Sequence, residues 1–154
     1  MGKSKVCTQC KSTCPAEDYL TSGNVTRTVC KSCTYAGRRK KWSSSYQEFL
    51  NRLYQNSKSS RSKILEWGIT PDHLVDLWES QDGRCAVSGV AMTHHRDGTG
   101  RKDFNASIDR LSNDHGYFPN NIRLVCYRVN ILRHDLPIDM LYWWIKTIHK
   151  HSCD

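Results

Sequence analysis

The chain has 154 residues, 38% of them hydrophobic, with a mean hydropathy of −0.67; that leaves room for one ordinary domain with a modest core, or a small domain beside a mini-module. No apolar run approaches the roughly 20 residues that cross a bilayer, and the polar opening Met1–Lys11 lacks the apolar centre of a signal peptide, so a cytoplasmic protein is the expectation. The net charge of +8 is uneven: residues 1–33 hold five Lys/Arg against two acids, residues 34–63 eight against one, and residues 64–154 ten against twelve.

Residues 1–37 carry five of the eight cysteines and few large apolar side chains. Cys7-x-x-Cys10 and Cys30-x-x-Cys33 are separated by nineteen residues. Each CxxC turn places two thiolates on one side of a tight loop, and two such turns supply the four ligands of tetrahedral zinc. So small a module buries too little surface to fold alone, so the metal would contribute its folding energy. Cys14 is a possible competing ligand without a CxxC partner. A cytoplasmic location argues against a disulfide framework. A closed structural zinc site says nothing about catalysis.

Residues 38–63 read as a basic helical linker. Ser45 followed by Glu48 is a capping box, and Tyr46, Phe49, Leu50, Leu53 and Tyr54 repeat with helical spacing. The polar stretch Asn56 to Ser62 reads as the linker proper. Arg38, Arg39, Lys40, Lys41, Arg52, Lys58, Arg61 and Lys63 make this segment the electrostatic footprint of a nucleic-acid binder; a merely solvated basic face is the alternative.

Residues 64–154 hold most of the aliphatic and tryptophan content and form the stretch able to build a conventional core. A helix is expected from Thr70-Pro71, with Leu74, Leu77 and Trp78 on its apolar face and Gly83 ending it. Asn105 to Leu111 and Ile122 to Cys126 read as strands, separated by Ser112-Asn-Asp-His-Gly116, rich in turn formers. A helix follows from Tyr127 until Leu136-Pro137 breaks it. A last helix carries Leu141, Trp144, Ile145 and Ile148 on one face. The fold class expected is α+β, with no internal repeat.

Several pieces of this region together resemble one family: Gly83-Arg-Cys85-Ala-Val-Ser-Gly89, then Ser107-Ile-Asp-Arg110, then Gly116-Tyr117 and Asn120-Asn-Ile-Arg-Leu-Val-Cys126 with Asn130. The pattern is similar to HNH (ββα-metal, His-Me finger) nucleases of the phage and prophage type, a family that includes the recombination endonuclease VII group and HNH homing endonucleases, over about residues 69–148. The cysteine module likewise resembles the short four-cysteine fingers at the N-termini of phage-encoded nucleases.

The resemblance implies a metal-dependent DNA endonuclease, nicking or cutting duplex DNA, in the host cytoplasm if phage-encoded. It implies that Asp109 on the strand and Asn130 in the helix hold Mg²⁺ or Mn²⁺, for which oxygen ligands are suited, and that the metal stabilises charge on the scissile phosphate. His134, four residues on, shares a helix face with Asn130 and would bind metal or phosphate, or complement the helix dipole.

The pattern departs from the family in two places. Many members carry a histidine general base after the metal aspartate, where this chain has Arg110; arginine is a poor base but can clamp a phosphate. His115 is the first candidate for the base, and His94 or His95 the alternatives. The further CxxC pairs of the endonuclease VII group are incomplete, since Ser88 and Val129 stand at the second positions, so Cys85 and Cys126 read as small buried hydrophobes, with a zinc site completed by two unidentified ligands as the alternative. The rival readings are a non-catalytic nucleic-acid-binding protein on the same fold, and a zinc-dependent interaction module, which leaves the hairpin unexplained.

Overall fold

The computed structural model describes residues 4–95 and 102–152. The N-terminal part is two small antiparallel hairpins, β1 (Ser4–Val6) with β2 (Thr13–Pro15) and β3 (Tyr19–Ser22) with β4 (Val25–Cys30). Their shared interior is Cys7, Tyr19 and Cys30, flanked by Cys14, Val29 and Cys33. A core of that size cannot hold a fold against chain entropy, which leaves a cross-link through the cysteines as the stabilising element.

Helix α1 (Lys31–Trp42) leaves β4 directly, and α2 (Tyr46–Arg61) follows after a short break. Ser45 Oγ accepts the Glu48 N–H at 3.2 Å, as the spacing of the two residues requires. The helix then runs through the polar stretch expected to be a linker: Asn56 to Arg61 are helical, with the serines returning hydroxyl bonds to carbonyls one turn back, Ser60 Oγ to Asn56 O at 3.1 Å among them. Phe49, Leu50 and Tyr54 are buried in the same core as the C-terminal half of the chain. Helix α2 is therefore part of the main domain's packing, and residue 63 is not a boundary of that core.

Helix α3 (Pro71–Ser80) begins where Thr70-Pro71 places it, with the Thr70 N–H bonded to His73 Nδ1 at 2.9 Å. Strands β5 (Ala106–Arg110) and β6 (Ile122–Cys126) pair antiparallel, with Asp109 opposite Arg123. Helix α4 (Tyr127–Arg133) follows β6 without a loop, giving strand, strand, helix in succession, and α5 (Ile138–Ser152) comes after Pro137. The core joins Phe49, Leu50 and Tyr54 of α2, Leu74 of α3, and Ile108, Ile122, Leu124 and Val125 of the hairpin. Side-chain amides finish what the small sheet leaves open: Gln81 accepts the Leu124 N–H at 3.0 Å and donates to Leu124 O at 2.8 Å, replacing a third strand along the edge of β6.

Gly116 of the Gly-Tyr pair has a steric reason. A Cβ there would sit 2.3 Å from the Glu66 carbonyl oxygen, because the Tyr117 N–H bonds that oxygen and Gly68 N–H bonds Tyr117 O. The last helix forms where it is expected but leaves much of its apolar face uncovered. Leu141 is buried, but Trp144, Ile145 and Ile148 are 47%, 49% and 60% exposed. The main core closes on other elements, so most of the apolar stripe of α5 stays in solvent.

Candidate functional site

The four cysteine sulfurs of Cys7, Cys10, Cys30 and Cys33 lie within 4.8 Å of one another. The Cys30 N–H points at Cys7 Sγ from 3.3 Å, and with the Cys10 N–H it brings the Cys7 thiol down to about 6. Contact with Cys30, burial and the neighbouring Cys10 and Cys7 sulfurs push Cys33 up to about 12. Four thiolates crowd one another at this separation unless a cation lies among them. Four sulfur donors, one of them cradled by backbone N–H groups, fit zinc. Cys14 is half-buried beside the cluster, bonded to Ser12 O, and outside the set of four.

The second site is built on β5, β6 and α4. An open cleft of about 560 Å³ is lined by Ser107, Ile108, Asp109 and Arg110 of β5, Asn113 and Tyr117 of the loop, Tyr127, Asn130 and Ile131 of α4, His134 and Asp135 beyond it, and Ser57 and Arg61 of α2. Four of the expected residues, Asp109, Arg110, Asn130 and His134, thus share one concavity, with one cationic side chain of the basic segment, Arg61, on its wall.

Asn130 is tethered. Its Nδ2 donates to Ser107 Oγ at 2.8 Å and to Ile108 O at 3.1 Å, which ties α4 to β5, and the residue lines the cleft. Asp109 is 3% exposed and held between two guanidinium groups: Arg123 Nε donates to Oδ2 at 2.8 Å and Arg133 Nη1 to Oδ1 at 2.5 Å. Arg133, equally buried, also donates to the carbonyls of Arg110 at 2.8 Å and Leu111 at 3.2 Å. Arg123 reaches Asp109 across the strand register, whereas Arg133 reaches it because α4 folds back over the hairpin.

His134 follows α4 with φ 49° and ψ −110°, a backbone state costing roughly 1–3 kcal/mol for a residue with a Cβ. Its Nδ1 lies 3.0 Å from Asp135 Oδ1, an interaction that holds Asp135 below its usual range. Arg110 has a loop role: Nη1 donates to Asn113 O at 3.1 Å and His115 O at 2.7 Å, and the guanidinium lies over Tyr117, 5.5 Å from the ring centroid. Asn121 pins the same loop, accepting from Ser112 N at 2.9 Å and donating to the Gly116 carbonyl at 2.9 Å.

None of the three histidines considered as a base lines the cleft. His115 is in the stapled loop and contributes its carbonyl to Arg110, while its side chain is not among those lining the cleft. His94 packs edge-on against Trp78, with ring centroids 6.2 Å apart, and stacks on His95 at 5.5 Å. Burial and then His95 lower the His94 pKa, and neither residue lines the cleft.

The basic segment is largely available to a polyanion. Arg38, Arg39, Lys40, Lys41, Lys58, Arg61 and Lys63 are exposed. Arg39 and Lys40 line a second concavity with Ser43 and Ser44. Arg52 is the exception: it is half-buried, with its guanidinium 4.5 Å from the Trp42 ring centroid. Cys85 and Cys126 are buried together, with Ser88 N–H on Cys85 Sγ at 3.4 Å, and burial and Cys85 push Cys126 up to about 11. Among the described residues they form no metal-binding group with a third His, Cys, Asp or Glu.

No family model matches the chain, and no curated protein matches it. Among solved structures, the rare-cutting HNH restriction endonuclease PacI is similar with a TM-score of 0.45 and 17% identity, over 96% of this chain and 94% of that one. Among the described residues no helix is long and apolar enough to cross a membrane.

Proposed function

We propose that the chain is a metal-dependent DNA endonuclease of the HNH type, with a structural zinc module ahead of its nuclease core. One observation carries this reading: the cleft that gathers Asp109 and Asn130 from the strand–strand–helix unit is walled by Ser57 and Arg61 of the basic helix. A phosphodiester lying along that wall meets a cationic side chain and two oxygen donors in the same concavity.

The donor set fits a hard divalent cation. An ionised carboxylate accepts about four hydrogen bonds, and the two arginines use two of those positions on Asp109. The Asn130 Oδ1 is the second protein oxygen, and the remaining positions would fall to water and phosphate, as is usual for Mg²⁺. Asp109, Asn130 and, at the rim, His134 would hold the ion; when bound, it stabilises charge on the scissile phosphate and the departing oxygen. The chain's own work is positional. Asn130 locks α4 to β5, Arg110 and Asn121 hold the loop that lines part of the cleft, and Arg61 supplies a cationic contact in it.

A plasmid-nicking assay with Mg²⁺, Mn²⁺ or EDTA tests the reading, with Asp109→Ala and Asn130→Ala beside the parent chain. Metal-dependent cleavage that disappears in both variants is expected. Cleavage that survives Asp109→Ala refutes the assignment. The second reading, a non-catalytic nucleic-acid-binding protein, is favoured by the double arginine clamp on Asp109; it prevails if the parent chain binds DNA and cleaves none with either metal.

A further inference from the structure

We infer that Arg123 is a positioning residue that sets the divalent-cation affinity of the cleft by competing for Oδ2 of Asp109. The inference rests on the reading above, in which Asp109 is a metal ligand.

Two guanidinium groups grip one buried carboxylate, and they are not equivalent. Arg133 is 3% exposed and its two terminal nitrogens serve Asp109, Arg110 O and Leu111 O together. Its Nε is already without a partner among the described residues. Moving it would strand a buried cation and two carbonyls, so Oδ1 stays committed to Arg133. Arg123 stands opposite Asp109 in the strand register, has a side chain 16% exposed, and meets the carboxylate through Nε alone at 2.8 Å. It can turn outward toward water without breaking the hairpin ladder. Oδ2 is therefore the oxygen that is released.

A divalent cation and the Arg123 guanidinium both seek that oxygen and repel each other across it. In the absence of metal the arginine keeps the buried carboxylate paired; with metal the same arginine opposes binding. Neutralising residue 123 removes the competitor and leaves Oδ2 in need of a cation. Two signs follow. Cation affinity rises, and the neutral variant, destabilised when metal-free, regains more stability from the cation than the parent does, because a ligand that binds the folded state stabilises it more the tighter it binds.

The test is equilibrium Mn²⁺ binding, read from the electron paramagnetic resonance of free Mn²⁺, with thermal melts without added divalent cation and in Mn²⁺. It uses the full chain with its cysteine-bound metal in place, and the variants Arg123→Gln, Arg123→Met, Arg123→Lys and Asp109→Asn. Arg123→Gln and Arg123→Met are expected to bind Mn²⁺ about tenfold or more tightly than the parent and to show a larger Mn²⁺-induced rise in Tm. Arg123→Lys, which keeps the charge, should match the parent within about twofold. The second neutral variant keeps the test decisive should one fail to fold. Unchanged Mn²⁺ affinity in the neutral variants, with binding abolished in Asp109→Asn, overturns the inference and leaves the ligand assignment standing. Mn²⁺ binding that persists unchanged in Asp109→Asn overturns the ligand assignment and the inference with it.

Discussion

Removing residues 1–63 takes away the cysteine module and the basic segment, and it also takes a wall of the core. Phe49 is 2% exposed, Leu50 0% and Tyr54 7%, and all three pack with Leu74, Ile108, Leu124 and Val125. Full burial of such a side chain is worth about 1.5–3 kcal/mol each, which puts the loss at roughly 5–9 kcal/mol. Tyr46 adds a stacked contact with Trp78, ring centroids 5.4 Å apart. A domain of this size has only about 5–15 kcal/mol of stability in all. A chain of residues 64–154 is therefore expected not to fold, whereas residues 45–154, which keep α2 and its Ser45 cap, are expected to melt cooperatively. Near-UV circular dichroism and urea titration of the two truncations decide it. A cooperative transition and native aromatic signal from residues 64–154 would refute the packing argument.

Two further outcomes concern the metal-binding module and the basic helix. The purified chain is expected to contain one tightly held zinc by elemental analysis, and Cys30→Ser to lose it together with amide protection in residues 4–30 but not in α2. Folded, zinc-free protein with a protected module would exclude the structural site. Lys58→Ala and Arg61→Ala are each expected to flatten the log–log salt dependence of duplex binding by about 0.9 for every phosphate that is no longer neutralised. Arg52→Ala should leave that slope alone, since its guanidinium is committed to Trp42.

Local chemistry is what the sequence makes legible. Ser45 and Glu48 mark a helix start because capping needs only residues three apart. The β5–turn–β6–α4 succession is readable from strand composition, turn formers and the helix after Tyr127. The four-cysteine site follows from spacing, because each CxxC turn forms its own geometry. The extent of α2 is not legible in the same way: Asn56 to Arg61 are polar because they face solvent and the cleft, and their serines satisfy themselves on the preceding turn. The apolar stripe on α5 can be read off, but its exposure cannot, since periodicity says which residues share a face and not whether anything covers it. Within the cleft, Asp109 and Asn130 are found through a motif. Arg123 stands inside the motif but its pairing with Asp109 does not show in it, and Arg133 carries no motif; only the folded arrangement brings both guanidinium groups to the carboxylate.

The histidine position bears on the last expected outcome. From sequence, Arg110 stands where many HNH nucleases place a base, and Arg110→His would restore the common motif. In the fold, Arg110 bonds the carbonyls of Asn113 and His115 and lies over Tyr117, so its guanidinium is a strut of the cleft's lip. An imidazole is shorter and cannot present one nitrogen to both carbonyls. The substitution therefore exchanges a loop anchor for a base on a loosened loop. Hydrogen bonds from a charged donor contribute about 1.5–3 kcal/mol, and exposure of this pair favours the lower end. Asn121 still holds Ser112 and Gly116, so the loop is expected to loosen rather than unfold. Arg110→His should lower Tm by a few degrees, speed amide exchange across residues 112–116, and cleave no faster than the parent chain. Faster cleavage with unchanged exchange in that loop would show that the position is free for chemistry and that the strut is incidental.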